Sequence, residues 1–437
     1  MTSLGTAEVQ PLDLSDVERR ALDTIDPDEI RSELVTLIGI PSVGGSDAEC
    51  EIQHVLARRL DECGLEVDLW QADLDSLRSD RAFPGEEVER SEAWGLVATS
   101  GPGVPALVLQ GHVDVVPPGD LDRWRGDPYV ARVADTRVQG RGACDMKAGL
   151  VANLAAVRAV QRVGLPSARP IGLHFAIGEE DGGLGAFATL RRGHVADACI
   201  ITEPTSGGIV TAAGGALTFE IRVGGVASHG STAYAGRSAL HHFVPLLTAL
   251  GDLERRRNES VDPLMAGLPV AYPISVGRVR CGDWASSVPD LLVAEGRLGV
   301  ALDEDPAQAR AALEEAIRVT ARGNTWLRHH PPTVSWTGGQ YASGRLVDGA
   351  SLLGLLGSSL DAVGATTPRQ PRGVPYGSDL RLYSGEGVPT LHYGPGDAQV
   401  AHSPREEVDL REVVQVAQTL TVALLRAAGG VDGPVAS

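Results

Sequence analysis

The sequence predicts an α/β protein with a mostly parallel central sheet and an inserted α+β domain. Three observations predict it. Between about 26 and 204, short apolar runs alternate with amphipathic stretches of helical period, the pattern of strands joined by crossover helices. Near Gly214 the pattern changes to "ALTFEIRV", where Leu217, Phe219, Ile221 and Val223 share one face, as in a half-exposed antiparallel strand. After residue 333 the first pattern resumes. A chain of 437 residues exceeds what one hydrophobic core usually holds. The boundaries read 1–213, 214–333 and 334–437, with the outer two segments forming one domain.

Residues 1–25 are polar and acidic, the first dozen are expected to be mobile, and no basic stretch precedes an apolar one, so no signal peptide is read. "DPDEIRSELVTLIG" has the start of a helix: Asp26 as cap, Pro27 in the first turn and Glu29 at the capping-box position. Ile30, Leu34, Leu37 and Ile38 form its apolar face. A second helix runs from Asp47 to Cys63 and Gly64 ends it, and "LEVDLW" follows as a strand. Residues 73–93 are charged and irregular, an expected surface excursion. Then come a strand at 106–111, a helix at 147–162, the strand "PIGLHFAI", a helix near 184–193 and the strand "DACIITEP". In the insertion, a helix starts near Arg237 with a bend expected at Pro245, strands fall near 270–280 and 290–302, and Asp305 and Pro306 open a helix to about Ala321, with Gln308 at the capping-box position. The chain closes with a helix at 410–427, ended by Gly429.

The net charge of −19 argues against nucleic acid and against an anionic membrane surface. No apolar run approaches the length of a membrane span. Cys50, Cys63, Cys144, Cys199 and Cys281 are odd in number, dispersed and without a CxxC pair, which fits reduced thiols in the cytoplasm rather than a zinc ribbon.

Ligands of parallel sheets bind beyond the carboxyl ends of the strands, and the unusual polar residues fall there. "GHVDVV" carries His112 and Asp114, "GRGACDMKAG" carries Asp145, "IGEEDGG" carries Glu179 and Glu180, "ITEPT" carries Glu203 and "AHSPREEV" carries His402. His112, Asp145, Glu180, Glu203 and His402 are the donor types of zinc and similar metals. Adjacent carboxylates after an apolar strand repel each other unless a cation is near. Asp114, two residues beyond His112, reads as the carboxylate that orients a ligating imidazole. Cys144 reads as a small buried neighbour of a ligand and His174 as a core residue. Lys147 either balances charge or opens its helix. The "GRG" before Asp145 lacks the next glycine of a dinucleotide fingerprint.

In combination, order and spacing, these segments resemble the M20 family of metallopeptidases and deacylases from about residue 27 to 427. The resemblance implies a zinc-exopeptidase-like catalytic domain with a ferredoxin-like lid that also dimerises. It implies two zinc ions, with Co2+ or Mn2+ as substitutes: Asp145 bridges them, His112 and Glu203 complete one, Glu180 and His402 the other. Glu179 matches the general acid/base, and His229 of "ASHGST" matches a residue that reaches the active site, often across a dimer interface, and polarises the scissile carbonyl. The family's substrates carry a carboxylate, which makes Arg297 and Arg381 candidates to grip it, although either arginine is equally a surface residue or a partner of Asp379. Gly394 and Gly396 of "YGPG" are candidates to present backbone amides. One departure is at "SSVPD", where Ser286 or Ser287 replaces an asparagine frequent in the family.

The expected activity is therefore hydrolysis of the amide of an N-acyl amino acid or related small amide, in a homodimer, with a dipeptidase or carboxypeptidase as the alternative within the same chemistry. A non-catalytic binding protein would not need a base beside the metals. A two-metal phosphoesterase would need an Arg or Lys cluster for phosphate, and none accompanies the ligands.

Overall fold

The computed structural model describes residues 14–164 and 169–429. The expected mobile first dozen lies outside them, but the rest of the polar leader folds. Helix α1 (Asp16–Leu22) begins with Ser15 and Glu18 in a reciprocal capping box, and Glu18 accepts from Arg426 Nε at 2.7 Å, which ties it to the last helix. Helix α2 (Pro27–Ile38) starts where expected, with the Asp26 carboxylate accepting the Asp28 N–H. Helix α3 (Asp47–Glu62) and strand β1 (Glu66–Gln71) follow. The charged excursion contains a short helix, α4 (Leu74–Ser79), capped by Asp73.

Strands β2 (Trp94–Thr99) and β3 (Leu107–His112) precede a small hairpin, β4 (Arg132–Ala134) and β5 (Arg137–Gln139). Next come α5 (Ala148–Val163), β6 (Ile171–Ala176), α6 (Leu184–Arg191), β7 (Cys199–Ile201) and β8 (Val210–Ala213). A second sheet takes β9 (Gly215–Gly224), β10 (Ile274–Cys281), β11 (Leu291–Val300) and β12 (Thr333–Tyr341), with helices α7 (Ala239–Arg257) and α8 (Pro306–Gly323). The chain returns through β13 (Gly344–Arg345), α9 (Ala350–Ala362), β14 (Arg372–Val374), α10 (Leu380–Gly385), β15 (Thr390–His392), β16 (Glu407–Asp409) and α11 (Leu410–Gly429).

The central sheet has the order β1-β2-β6-β3-β7-β15-β8-β13, with β14 also on β8. Its middle, β6-β3-β7-β15, is parallel; the flanking pairs β1-β2, β2-β6, β15-β8 and β8-β13 are antiparallel, and β14 joins β8 in parallel. Helices cover both faces. Leu107 and Leu109 of β3 join a core with α2, α5 and α11, whereas Val108 joins one with α6 and α10. That double coverage is why the strand reads as a continuous apolar run.

The second sheet, β10-β11-β9-β12, is antiparallel throughout and has its own core against α7 and α8. Leu217, Phe219, Ile221 and Val223 face that core, as their alternation predicts. Its fourth strand, β12, begins at Thr333 and runs on to Tyr341. Helix α7 continues through Pro245 from Ala239 to Arg257. All five cysteines are free. Among the described residues, no helix is long and apolar enough to cross a membrane.

A buried ion triad fastens the excursion to the sheet. Arg90 Nε and Nη2 lie 2.9 and 3.0 Å from the two Glu49 carboxylate oxygens, and Nη1 lies 2.7 Å from Asp181 Oδ2. All three side chains are buried, so removing the guanidinium leaves two desolvated carboxylates facing each other. Arg90→Met is expected to lower the unfolding free energy by about 3–5 kcal/mol, read from urea denaturation; a loss under about 1 kcal/mol would show that the triad behaves like a surface pair.

Candidate active site

The parallel middle of the sheet delivers several strand ends to one place. β3 ends at His112; beyond β6 come Glu179 and Glu180, and beyond β7 comes Glu203. Asp145 sits in the turn that opens α5, and His402 lies in the loop before β16 with a left-handed backbone, φ 56°. The Asp145–Met146 peptide is cis.

The two oxygens of Asp145 face two separate groups. Oδ1 is 3.2 Å from His112 Nε2, which is itself 3.7 Å from Glu203 Oε1. Oδ2 is 3.3 Å from His402 Nε2, which is 2.9 Å from Glu180 Oε1. Within each trio, His112-Asp145-Glu203 and Asp145-Glu180-His402, the possible ligand atoms lie within 4.8 Å of one another. An imidazole with two carboxylates suits zinc and its neighbours, and a carboxylate shared between trios suits adjacent cations, so the residues fit such a metal. Electrostatics agree. Burial, followed by the charge of Asp145, pushes the Glu180 carboxyl up, and burial takes Glu203 to about 8. Burial works against a charged His112, yet Glu203, Asp145 and Asp114 hold its imidazolium well above the usual range; Glu180 first of all raises His402 to about 11. The clustered carboxylates thus favour the charged form of both imidazoles.

Neighbouring groups hold the donors in place. Asp114 does more than orient His112. Its carboxylate accepts the backbone N–H of Glu179 at 3.2 Å and of Glu180 at 3.1 Å, while the nearest acceptor for His112 Nδ1 is the Asp114 carbonyl at 3.0 Å, with the carboxylate at 3.6 Å. Glu406, which the sequence reading passed over, is fully buried, pairs with Arg141 and accepts the N–H groups of Cys144 and Asp145, each at 3.2 Å. Its signal was a second acid beside His402 in "HSPREEV". Lys147 opens α5, standing at its N-cap, but its side chain does not cap that helix; its Nζ donates to the carbonyls of Leu37 at 2.9 Å and Ile40 at 2.7 Å, at the end of α2. Cys144 is buried beside Asp145 and His174 is buried against Tyr383, as expected.

Glu179 is buried, and no described residue donates a hydrogen bond to its carboxylate. Burial first, and the charge of Glu203 second, raise its pKa well above the carboxylate range. It borders a cavity of about 200 Å³ together with Asp145, Glu180, Glu203, Arg297, Tyr376 and His402.

The four expected substrate contacts divide. Arg297, on β11 of the second sheet, borders this cavity; its Nη2 donates to the Pro375 carbonyl at 2.9 Å and its Nε has no partner. Arg381 does not border the cavity. Its guanidinium donates to the carbonyls of Ser378 and Gly182, both at 2.6 Å, and lies 4.2 Å from the Tyr341 ring centre, so its donors are used inside the protein. The amides of Gly394 and Gly396 are likewise taken, the first by Thr205 Oγ1 and the second by Glu412 Oε2, each at 3.0 Å. A Cβ on Gly394 would come within 2.3 Å of the Thr202 carbonyl oxygen, so this glycine serves close strand packing. His229 is exposed on the second unit, its Nδ1 2.7 Å from Ser231 Oγ, and it does not border the cavity of its own chain.

A parallel sheet whose carboxyl edge gathers imidazoles and carboxylates, with a buried acid free beside them, defines a metal-dependent hydrolase. The chain belongs to the peptidase family M20/M25/M40, whose family model matches residues 108–426, and it is a hydrolase of amide or peptide bonds. It is 25% identical over 420 residues to the N-formyl-4-amino-5-aminomethyl-2-methylpyrimidine deformylase of Halalkalibacterium halodurans, covering 90% of this chain and 93% of that one. It is 32% identical over 292 residues to the succinyl-diaminopimelate desuccinylase of Bordetella pertussis, covering 64% and 70%. Human carnosine dipeptidase 1 shares the fold with a TM-score of 0.72 at 15% identity, over 94% of this chain and 99% of that one.

The two arginines respond differently to removal. Arg381→Met leaves two carbonyls without a charged donor and is expected to lower stability by about 1.5–3 kcal/mol, measured by urea denaturation. Arg297→Met takes one charged donor from the Pro375 carbonyl, against two lost in Arg381→Met, and should lower stability by no more than about 1.5 kcal/mol in the same measurement.

Proposed function

We propose that this protein is a deacylase that hydrolyses the amide of an N-acyl amino acid or related small amide at a site holding two zinc ions, with cobalt or manganese as working substitutes. One observation carries the reading: the Asp145 carboxylate divides its oxygens between two imidazole–carboxylate trios, beside a buried Glu179 whose carboxylate accepts no hydrogen bond among the described residues. His112, Asp145 and Glu203 would hold one ion, and Asp145, Glu180 and His402 the other. When bound, such a pair supplies a nucleophilic water at neutral pH and positive charge against the oxyanion of the tetrahedral intermediate.

The chain's own residues do the rest. Glu179 takes the proton of the attacking water on its carboxylate and passes it to the leaving nitrogen as the C–N bond breaks. Burial favours this role, because it makes the carboxylate a stronger base than an exposed one. Asp114 keeps Glu179 and Glu180 in register through their backbone N–H groups, so that one acid ligates while its neighbour moves protons. Arg297 reaches the cavity from the second sheet and pairs with the substrate carboxylate. The small cavity and the acyl-removing activities named for the deformylase and desuccinylase relatives support a small amide.

The second unit, residues 214–333 with β12 completing its sheet, acts as lid and dimerisation surface in this reading. Leu240, Val244 and Leu247 on α7 recur at helical spacing, yet all three are exposed, an apolar stripe suited to a second copy. His229 would then reach the cavity of that second copy and polarise the carbonyl. The free cysteines support a reducing, cytoplasmic setting.

The test is a panel of N-acyl amino acids against dipeptides, with chelated and metal-reloaded protein. Chelation should abolish turnover and zinc should restore it. Glu179→Gln should lower kcat by about 10²–10⁴-fold with bound metal unchanged. Preference for dipeptides would move the assignment to a dipeptidase, and full activity in Glu179→Gln would remove Glu179 from the mechanism.

A further inference from the structure

We propose that Tyr341 is a positioning residue that makes the placement of Glu179 depend on how the second sheet is seated. The proposal rests on Glu179 being the base. Tyr341 is the last residue of β12 and thus belongs to the inserted unit, but its hydroxyl donates to the backbone carbonyl of Glu179, on the far side of the cavity wall. The ring cannot swing away freely: the Arg381 guanidinium lies over it at 4.2 Å, and the same guanidinium donates to the Gly182 carbonyl, three residues beyond Glu179. One side chain from the inserted unit and one from α10 therefore close on both ends of the 179–182 loop.

A second route reinforces this clamp. β12 loses register with β9 between Trp336 and Gln340, and the bulge presents Gly338 and Gly339 to the catalytic unit. A Cβ on Gly339 would stand 2.9 Å from the Asp181 carbonyl oxygen, and one on Gly338 would stand 2.3 Å from Glu87. Gln340 N–H donates to the Pro84 carbonyl at 3.0 Å, and Thr218 Oγ1 of β9 donates to Glu87 at 2.7 Å. The excursion so gripped returns to the same loop, because the N–H groups of Glu87 and Val88 donate to Asp181 Oδ2 at 3.2 and 3.0 Å. Both routes from the second sheet converge on residues 179–182, the loop that carries the base and a metal-ligand candidate. Asp114 fixes the N–H groups of this loop from the central sheet, and Tyr341 fixes a carbonyl from the opposite side. A shift of the second sheet would therefore move the Glu179 carbonyl, while His112, Asp145 and Glu203 stay in place and Glu180 remains tied to Asp114 and His402.

The experiment compares full-length, metal-loaded Tyr341→Phe, Gly339→Ala and Glu179→Gln with wild type on the amide turned over fastest in the panel. Tyr341→Phe is expected to lower kcat at least tenfold with KM and bound metal within twofold, and to speed hydrogen exchange of the 178–183 amides at least threefold. Gly339→Ala, which sets a methyl against both the Tyr341 ring and the Asp181 carbonyl, should reproduce the kcat loss at unchanged bound metal. A Tyr341→Phe kcat within twofold of wild type beside an inactive Glu179→Gln would overturn the coupling and leave the base assignment standing. So would a kcat loss matched by loss of metal, or unchanged exchange at 178–183. An active Glu179→Gln would overturn the base assignment and this inference with it.

Discussion

Mutual repulsion among desolvated carboxylates is the constraint around which this molecule is organised. Asp145, Glu179, Glu180 and Glu203 border one small cavity, with two imidazoles and the guanidinium of Arg297 as nearby counterweight among the described residues. No fold would gather them without compensation, since each charge costs several kcal/mol to bury unpaired. The site meets this cost in part with backbone donors and in part by leaving room for cations.

The backbone donors come from the loops themselves. Asp114 and Glu406 are acids that bind nothing in the cavity. Each accepts two consecutive or neighbouring N–H groups, Asp114 from Glu179 and Glu180, Glu406 from Cys144 and Asp145. The residues that carry functional carboxylates are thus held by their main chain, which leaves the side-chain oxygens free for a metal or a proton. Arg141 pairs with Glu406, and Arg90 with Glu49 and Asp181, so these guanidinium groups are engaged away from the cavity. Separating anchoring acids from working acids leaves the working carboxylates unpaired with Arg141 and Arg90.

The inserted unit enters the site only through β11 and β12, with Arg297 from one strand and Tyr341 from the other. A hydrolase that admits a small substrate and then excludes water benefits when such contacts assemble together. The glycine pair in the β12 bulge is the cost of bringing two sheets this close, because neither position has space for a side chain.

Much of this was legible in the sequence, and the reason is local. An apolar strand that ends in His or Glu announces both the strand and an edge where ligands bind, so His112, Glu179, Glu180 and Glu203 could be named as candidates from position, whereas Asp145 and His402 lie in loops and were named by residue type. The alternation in "ALTFEIRV" likewise marked the change of sheet. What the sequence could not decide were contacts between segments far apart in the chain. Whether Arg381 faces a substrate or the carbonyls of Gly182 and Ser378, and whether the amides of Gly394 and Gly396 are free or taken by Thr205 and Glu412, depends on which loops approach which. The same holds for Glu406 behind Asp145 and Tyr341 behind Glu179. The sequence alone determined the donor types and the strand ends that carry them, because periodicity and polarity are properties of neighbours in the chain. Only the tertiary structure decided which donors remain free for chemistry, because every hydrogen bond made inside the protein removes a group from that role, and most of those partners are distant in the chain.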